Sequence, residues 1–279
     1  MKKLLALILS VCVLLSGFAF GACAPAKEEG SVYVGLECGY IPFNWTQTSA
    51  SDGAVKISNA DGYANGYDVM IAKKIADKLG KKLVIVKYDW DALISGVTTG
   101  ALDFIIAGMS PTEERKESID FSQAYYESQL VIVVKENGPY AGATTLADFA
   151  GAKITAQQGT FHLDALQAQG PAKGINVQTA MSTFPEMTAA LSVGTIDGYV
   201  AEEPGAIADC AATSGLTYVH LINNVTGFTA TPEDTTIAIG FKKNSKYSDP
   251  VNEALSGISE AERAQMMETA IALSVNAVD

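Results

Sequence analysis

Residues 83–107 read LVIVKYDWDALISGVTTGALDFIIA, and this stretch contains the pattern that decides the fold. The β-branched run at 83–86 predicts a strand, and Asp89 is a suitable cap for a short helix that Gly100 ends. The run at 104–107 is apolar on both faces, as expected of a buried parallel strand. The stretch therefore predicts a strand–helix–strand unit of an α/β protein.

The same alternation extends in both directions along the chain. Residues 32–38 form a β-rich run, and apolar residues recur at helical spacing from 69 to 79. The order helix, glycine, aliphatic residue, aspartate and apolar strand at 90–110 is repeated at 184–204. These patterns predict an α/β fold of two lobes, each a mainly parallel sheet flanked by helices.

The predicted lobes meet at two crossings of the chain. A polar Gly/Pro break follows the apolar run at 130–134, and a second β-rich run at 235–241 can carry the chain back. We therefore expect lobe 1 to comprise 31–135 and 236–279, and lobe 2 to comprise 136–235. The two crossing strands would form a hinge.

The composition excludes several classes of protein. Of 279 residues, 48% are apolar and 18% charged, so the chain has enough apolar material for a folded core. A formal net charge of −12 argues against nucleic acid as a partner, because binding phosphates requires clustered lysine and arginine. Two histidines and four cysteines supply few metal ligands, and we expect neither a metal nor a cofactor.

The N-terminus has the pattern of an export signal. Two lysines precede a short apolar run at 4–15, and small residues follow, so we expect 1–22 to be a signal peptide; a membrane-anchoring helix is the alternative. Cys23 lies where the small residues end, and its surroundings resemble the lipobox of bacterial lipoproteins. That resemblance implies a lipid on Cys23 and a polar tether at 23–30, which would hold an extracytoplasmic protein at the outer face of the membrane.

The body of the chain resembles the polar amino acid group of solute-binding proteins, which serve ABC importers. The segments that carry the resemblance are VGLECGYIPFNW (34–45), NGYDVMIAKKIADKLG (65–80), DWDALISGVTTGALDFIIAGMSPTEERKESIDFSQAYY (89–126), LADFAGAKITAQQGT (146–160) and IDGYVAEEP (196–204). The family implies a two-lobed clamp, expected to be monomeric, that closes on one free amino acid and presents it to the ABC permease in the membrane.

The ligand's carboxylate requires a guanidinium and free amides. Arg115 and Ser110 fall on the family's carboxylate-binding positions, and Ser110 also begins a pattern typical of a helix cap, with Pro111 at the first helical position. Gly159 and Thr160 end a strand and open a helix, so their amides can hold the same carboxylate from lobe 2.

The ligand's ammonium group requires acceptors. Glu202 lies where the family places an acidic residue for this purpose, and the Gly108 carbonyl is a second acceptor. Glu203 should point the other way, because successive residues of a strand alternate, and we expect it to be solvated. His162 follows Phe161, which replaces a second hydroxyl residue of the family, and we interpret His162 as a partly exposed helix residue.

The side-chain pocket selects the amino acid. Tyr40 and Tyr67 fall on the aromatic positions that flank the ligand in this family, and Glu37 matches the acidic position of relatives that bind basic amino acids. A buried carboxylate needs a cationic partner, so we expect arginine first, then lysine or histidine, with glutamine as the neutral competitor. Trp45 either lines the mouth of the cleft or packs in the core.

Two further features remain open at this point. We interpret Cys38 and Cys210 as free, buried thiols in different lobes, although export permits a disulfide.

Two other functions share the fold or the location: a cyclohexadienyl dehydratase acting on arogenate or prephenate, and a surface sensory or interaction lipoprotein. The sequence contains no motif of nucleophilic or metal-dependent catalysis, and we expect a binding protein rather than an enzyme.

Overall fold

The computed structural model describes residues 27–275. The predicted signal peptide at 1–22 and the predicted lipid-bearing Cys23 lie outside this range. The last residues of the predicted tether, 27–30, lie against the body of the protein, where Lys27 Nζ is 2.9 Å from Asp103 Oδ1. Within 27–275, no helix is both long and apolar enough to cross a bilayer.

The described residues alternate between strands and helices. The strands are β1 (Ser31–Leu36), β2 (Gly39–Tyr40), β3 (Asn44–Gln47), β4 (Val55–Lys56), β5 (Tyr63–Asn65), β6 (Lys82–Lys87), β7 (Phe104–Ile105), β8 (Ile119–Glu127), β9 (Leu130–Lys135), β10 (Lys153–Thr155), β11 (Asn176–Val177), β12 (Gly198–Glu202), β13 (Leu216–Val219) and β14 (Thr236–Lys242). The helices are α1 (Tyr67–Lys78), α2 (Leu93–Thr98), α3 (Glu113–Ser118), α4 (Phe161–Gln169), α5 (Phe184–Val193), α6 (Glu203–Ala212), α7 (Pro232–Thr235), α8 (Ser248–Ser256) and α9 (Glu260–Ser274).

Two five-stranded sheets have the same pattern of strand directions. The strand order is β6-β1-β7-β14-β8 in the first sheet and β11-β10-β12-β9-β13 in the second. In each sheet four strands run in one direction, and the fourth strand in the order, β14 or β9, runs against them. A small antiparallel sheet, β2-β3-β5-β4, adjoins the first. The predicted two-lobed α/β class is confirmed.

The sheets place the first crossing earlier than the sequence predicted. The predicted boundary after residue 135 assigns β9 to lobe 1, but β9 pairs with β12 and β13 in the second sheet. The chain therefore changes sheets at 128–129, and the polar break after β9 is a loop at the end of a buried strand. From here on, lobe 1 means 31–127 with 236–275, and lobe 2 means 129–235.

The repeated sequence pattern occupies equivalent places in the two sheets. Gly100 follows α2 and Gly194 follows α5, and both adopt left-handed φ angles of 82° and 85°. Each glycine ends a helix in a conformation that favours residues without a Cβ atom. The strands that follow, β7 and β12, are both the central strands of their sheets.

The cap of α3 differs from the prediction. Thr112 rather than Ser110 is the N-cap residue, and its hydroxyl accepts a hydrogen bond of 3.4 Å from the Arg115 amide. Pro111 consequently precedes the helix instead of beginning it. Ser110 contacts α3 in a different way: its carbonyl accepts a hydrogen bond from the Arg115 guanidinium.

The two described cysteines lie in different lobes and form no disulfide. Cys38 is buried after β1, and Cys210 is half-buried on α6. Burial raises the pKa of each thiol to about 12, so both remain protonated at neutral pH.

The start of α1 depends on a glycine. Gly66 has a φ of 124°, and a Cβ atom there would collide with the Phe43 carbonyl. The loop that contains Phe43 also accepts hydrogen bonds from the first amides of α1. Tyr67 donates to Pro42 O at 3.0 Å, and Asp68 donates to Phe43 O at 2.8 Å. The close approach that satisfies these amides therefore excludes a side chain at 66.

We expect Gly66→Ala to lower the free energy of unfolding by about 2–3 kcal/mol, since it combines a left-handed backbone with a steric overlap. Urea titration followed by circular dichroism measures the change. Gly142→Ala is the matched control, because an added Cβ meets nothing within 4 Å there, and we expect a change below about 0.5 kcal/mol. Equal stabilities of the two variants would contradict the prediction.

Candidate ligand-binding site

The predicted site residues gather at the carboxyl ends of the parallel strands. Glu37 follows β1 and Gly108 follows β7 in lobe 1, whereas Gly159 follows β10 and Glu202 ends β12 in lobe 2. Side chains from the two edges touch across the gap between the lobes, as the contacts below show. Ligands of open α/β sheets bind at this edge.

Arg115 is buried at the junction of the lobes, with only 9% of its surface exposed. Its Nη1 donates to the Ser110 carbonyl at 2.8 Å within lobe 1, and its Nη2 donates to the Gly159 carbonyl of lobe 2 at 2.9 Å. The guanidinium also lies over the Trp90 ring, 5.2 Å from its centre. Trp90 Nε1 donates to the same Gly159 carbonyl at 2.9 Å, so two side chains of lobe 1 share one acceptor in lobe 2.

The guanidinium lacks an acidic partner. Among residues 27–275, no carboxylate oxygen lies within 4 Å of it. Burial lowers the pKa of Arg115 to about 10, and the more distant Asp164 opposes this shift, so the group stays charged at neutral pH. The two carbonyls use two of its five N–H donors, and the others can serve an anion.

Glu202 is buried at the facing strand end. The Tyr40 hydroxyl of lobe 1 donates to Oε2, and His162 Nε2 lies 3.0 Å from Oε1. Burial raises the pKa of Glu202 to about 8. A cation placed beside this carboxylate would favour its ionised form and lower that pKa.

His162 differs from the prediction of a partly exposed helix residue. It is 6% exposed, because Glu202 and Phe184 of the same lobe lie against its ring. Its ring packs against Phe184 with the centroids 6.2 Å apart. Burial, together with the nearby charge of Arg115, lowers the pKa of His162 to about 3, so the imidazole is neutral.

Glu203 points away from the site. Its side chain is 28% exposed, and its Oε1 lies 2.7 Å from His220 Nδ1. It therefore has a surface histidine as its partner.

Glu37 is a buried acid with a partner from the opposite lobe. Gln157 Nε2 donates to Glu37 Oε1 at 2.9 Å and also to the Ser182 carbonyl at 2.9 Å. Burial raises the pKa of Glu37 to about 7, and the bond from Gln157 opposes the shift. Gln157 was not predicted as a site residue, although it lies in the segment that ends with Gly159 and Thr160.

The two predicted aromatic residues do not face each other across an open space. Tyr40 is stacked between Phe43 and Phe184, with ring centroids 4.9 Å and 4.3 Å away. Tyr67 is fully buried in lobe 1, and its hydroxyl donates to the Tyr125 carbonyl at 2.9 Å. Phe43 packs against both tyrosines, so a ligand can lie between them only if Phe43 moves.

The remaining predicted residues lie near these groups. Gly108 lies against Tyr40, since an added Cβ would be 2.9 Å from that ring. Its amide donates to the Tyr125 hydroxyl at 3.3 Å, which in turn donates to Asp68 at 2.6 Å. Thr160 caps α4 by accepting from the Leu163 amide at 3.4 Å.

A cavity of about 690 Å³ lies between the lobes next to this cluster. Glu37 and Trp45 line it from lobe 1, and Phe184 and Asp209 line it from lobe 2. Glu37 also borders a second cavity of about 320 Å³. Neither Arg115 nor Glu202 lines these two cavities, because their own neighbours cover them. Within 27–275, no three potential ligand side chains are grouped closely enough to hold a metal ion.

Comparison with known proteins identifies the family. The model of bacterial extracellular solute-binding proteins, family 3, matches residues 47–270, and the chain belongs to this family. It is 26% identical over 260 residues to the arginine-binding extracellular protein of Bacillus subtilis, which covers 91% of this chain and 92% of that protein. It is 29% identical to a protein of Campylobacter jejuni named as a probable histidine-binding protein, over 77% of this chain and 83% of that one.

A solved structure agrees with these relatives. The amino acid ABC transporter substrate-binding protein of Streptococcus pneumoniae, bound to L-arginine, is 27% identical and has a TM-score of 0.75, over 87% of this chain and 94% of that one. The chain is thus a solute-binding protein of the polar amino acid group, and the predicted resemblance is confirmed. It is a binding protein and not an enzyme, so the dehydratase alternative is wrong.

The raised pKa of Glu202 predicts how stability depends on pH. Between the usual carboxyl pKa of 4.5 and the folded value of about 8, the folded protein binds more protons than the unfolded chain. The unfolding free energy therefore falls as pH rises through this range, by at most about 1.4 kcal/mol per pH unit from this one group. We expect Glu202→Gln to reduce the slope, as measured by urea unfolding of ligand-free protein from pH 5 to 8.

Glu136→Gln is the control for this measurement, because it makes the same chemical change at an exposed position of lobe 2. It should keep the wild-type slope. A Glu202→Gln slope equal to that of the wild type would show that burial does not perturb this carboxyl group.

Proposed function

We propose that this protein closes on a free amino acid with a basic side chain, arginine first and then lysine or histidine, and delivers it to an ABC permease. The observation that carries the proposal is the pair of complementary groups buried on facing lobes, the guanidinium of Arg115 in lobe 1 and the carboxyl group of Glu202 in lobe 2. The guanidinium complements the carboxylate of a free amino acid, and the ammonium group of such a ligand would favour the ionised form of Glu202 and pair with it.

Arg115 is the group that we expect to bind the carboxylate of the ligand. A buried guanidinium that bonds only carbonyls keeps its full positive charge, and a carboxylate is the anion whose geometry matches its paired donors. Ser110, Gly159 and Thr160 lie around it as further groups for the same carboxylate. On the other side, Glu202 and the Gly108 carbonyl are acceptors for the ammonium group.

The argument for a basic side chain rests on Glu37. This carboxyl group is 7% exposed and borders both cavities between the lobes, where a long side chain has room. A guanidinium or ammonium beside it would favour the ionised form and compensate for the burial that raises its pKa to about 7. The arginine-binding and histidine-binding relatives are consistent with this choice.

Glutamine is the second candidate. Because burial raises the pKa of Glu37 to about 7, a large fraction of this carboxyl group is protonated near neutral pH. A protonated carboxyl group both donates and accepts a hydrogen bond, which suits the amide of a glutamine side chain. Affinity at two pH values separates the candidates, since arginine binding should strengthen above pH 7 and glutamine binding should not.

Closure would couple binding to transport. A ligand that contacts Arg115 in lobe 1 and Glu202 in lobe 2 binds the closed arrangement better than an open one and so shifts the population toward it. A permease can then distinguish loaded from unloaded protein. A sensory role would instead leave uptake intact when the protein is removed.

We expect arginine to raise the melting temperature by about 5–10 °C at a concentration of about one hundred times its Kd. The measurement is a thermal-shift screen against the twenty amino acids, followed by calorimetry. Glu37→Gln should weaken arginine binding at least tenfold while changing glutamine binding less than about threefold, because only the cation loses its counter-charge. Arg115→Ala should abolish binding of every amino acid.

Asp89→Asn is the matched control for Glu37→Gln, since Asp89 is an exposed acid that borders the same two cavities. It should leave arginine affinity within about threefold of the wild type. A clear thermal shift with glutamine or cystine, and none with arginine, lysine or histidine, would overturn the basic-ligand assignment while leaving amino acid binding intact.

We also propose that Cys23 carries the lipid that holds the protein at the outer face of the membrane, as a monomer on a short tether. The support is the sequence pattern around Cys23, which follows a charged start and a short apolar run. One lipid-modified residue can retain a protein of this size at a bilayer when more than one acyl chain is attached.

We expect Cys23→Ala to release the protein from washed membranes while leaving amino acid affinity unchanged. Fractionation of cells with an immunoblot measures the release, and Cys210→Ala is the control because that thiol lies in the folded body. Retention of the Cys23→Ala variant in the membrane fraction would favour the alternative of an uncleaved anchoring helix.

A further inference from the structure

Two segments of lobe 1 that carry proposed ligand contacts leave the sheet through left-handed residues. Cys38 directly follows Glu37 beyond the end of β1 and has a φ of 57°, and Gly108 lies beyond the end of β7 with a φ of 64°. A left-handed conformation is uncommon for a residue with a Cβ atom, and it persists where the surrounding structure fixes it. The bonds of these two backbone amides show what fixes both segments.

The Cys38 amide bonds a buried asparagine. Cys38 N donates to Asn44 Oδ1 at 2.7 Å, and Asn44 Nδ2 donates to Asp68 Oδ2 at 2.8 Å. The orientation of this side-chain amide follows from its partner, since a backbone N–H can only donate and must face Oδ1. The bond to Asp68 forms whether that carboxyl group is ionised or carries a proton on its other oxygen, because Oδ2 accepts in both cases.

The Gly108 amide reaches the same aspartate through a tyrosine. Gly108 N donates to the Tyr125 hydroxyl at 3.3 Å, and that hydroxyl lies 2.6 Å from Asp68 Oδ1. The side chains of Asn44, Asp68 and Tyr125 are all buried. Asp68 thus joins the two left-handed segments by hydrogen bonds that lie within lobe 1, so the network is independent of the contacts between the lobes.

Each segment is also held by the sheet on its other side. Leu36 O, just before Glu37, accepts from the Tyr88 amide at 2.9 Å, and the carbonyl just after Gly108 accepts from an amide of β14 at 3.0 Å. The N–H of Cys38 belongs to the peptide group that follows Glu37, so its bond limits the direction in which the Glu37 side chain leaves the backbone. Both proposed ligand contacts therefore lie between two fixed points.

We propose that Asp68, with Asn44 and Tyr125, positions two groups that contact the ligand: the Glu37 carboxyl group for the basic side chain and the Gly108 carbonyl for the α-ammonium group. This inference rests on the proposed function, because it requires that these groups bind a free amino acid. The three are positioning residues, which act through the segments that they hold, as groups that bind ligands need supporting hydrogen bonds to stay in place.

The tyrosine branch is tested by Tyr125→Phe, which removes the acceptor of the Gly108 amide. We expect it to raise the Kd for arginine about tenfold, measured by calorimetry. The Kd for 5-guanidinopentanoate, which is arginine without its α-ammonium group, should change less than about threefold in a competition assay. Tyr126→Phe is the matched control, because it makes the same change at the next residue, whose ring packs against Phe43. It should bind arginine within about twofold of the wild type.

The asparagine branch is tested through its coupling to Glu37. Asn44→Leu removes the acceptor of the Cys38 amide, and we expect it to raise the Kd for arginine about tenfold. In a Glu37→Gln background the same substitution should raise the Kd less than about threefold, because the charged group that it positions is already absent. A residue that only maintains the fold would weaken arginine binding by the same factor in both backgrounds.

Exchanging the two buried polar side chains tests the network in a protein that keeps all its bonds. In Asp68→Asn alone, one N–H of the new amide faces a donor, and we expect arginine binding to weaken at least tenfold. Adding Asn44→Asp gives a carboxyl group at 44 that accepts from Cys38 N and from the amide at 68, whose oxygen then faces Tyr125. This double variant should bind arginine within about threefold of the wild type, with its fold checked by circular dichroism.

The remaining outcomes separate the two proposals. If none of the twenty amino acids binds the wild-type protein, the proposed function itself fails. If the wild type binds arginine, the positioning role alone is overturned by any of three results: Tyr125→Phe and Asn44→Leu that bind like Tyr126→Phe, equal losses of both ligands in Tyr125→Phe, or an Asn44→Leu effect that is the same with and without the Glu37 carboxyl group. A folded double variant that binds no better than Asp68→Asn also overturns it.

Discussion

The junction of the lobes depends on one buried cation. The guanidinium of Arg115 is held by carbonyls of both lobes and by the face of Trp90, and within the part of the chain that the structure describes it forms no ion pair with an acid. A charge that is desolvated and bonded only to dipoles is a strong attractor for an anion. Two acids, Glu202 and Glu37, are also buried at the facing strand ends, and each is bonded by a side chain of the opposite lobe.

Contacts between the lobes use the same groups that we assign to the ligand. Tyr40 bonds Glu202, Gln157 bonds Glu37, and Arg115 bonds the Gly159 carbonyl, and each of these bonds joins one lobe to the other. A zwitterion would therefore add to or replace existing polar contacts instead of entering an apolar pocket. The binding free energy is then the difference between two hydrogen-bonded states, one in which the lobes bond each other and one in which they bond the ligand. Selectivity depends on which ligands make the second state more favourable.

The sequence predicted the architecture because strand–helix alternation and helix-ending glycines are local signals. It misplaced one boundary, since the apolar run that forms β9 looks the same whichever sheet it joins. The candidate site came from the family resemblance: Arg115, Glu37 and Glu202 fall on positions that the family assigns to the ligand, and all three are buried. Trp90 was missed because its bond to the Gly159 carbonyl joins the two lobes, and the burial of His162 was missed because Glu202 and Phe184, which enclose it, are distant in the sequence.

The two lobes differ in how far apart in the chain their strands lie, and this difference affects the order in which they fold. Lobe 2 is one continuous stretch of chain, whereas the sheet of lobe 1 has β14 between β7 and β8, more than a hundred residues later than its neighbours in the chain. Contacts this distant in sequence form slowly, because a long loop must close first. Because β14 is the last strand of the chain, lobe 2 can complete its sheet before lobe 1 does, although lobe 1 begins first in the sequence.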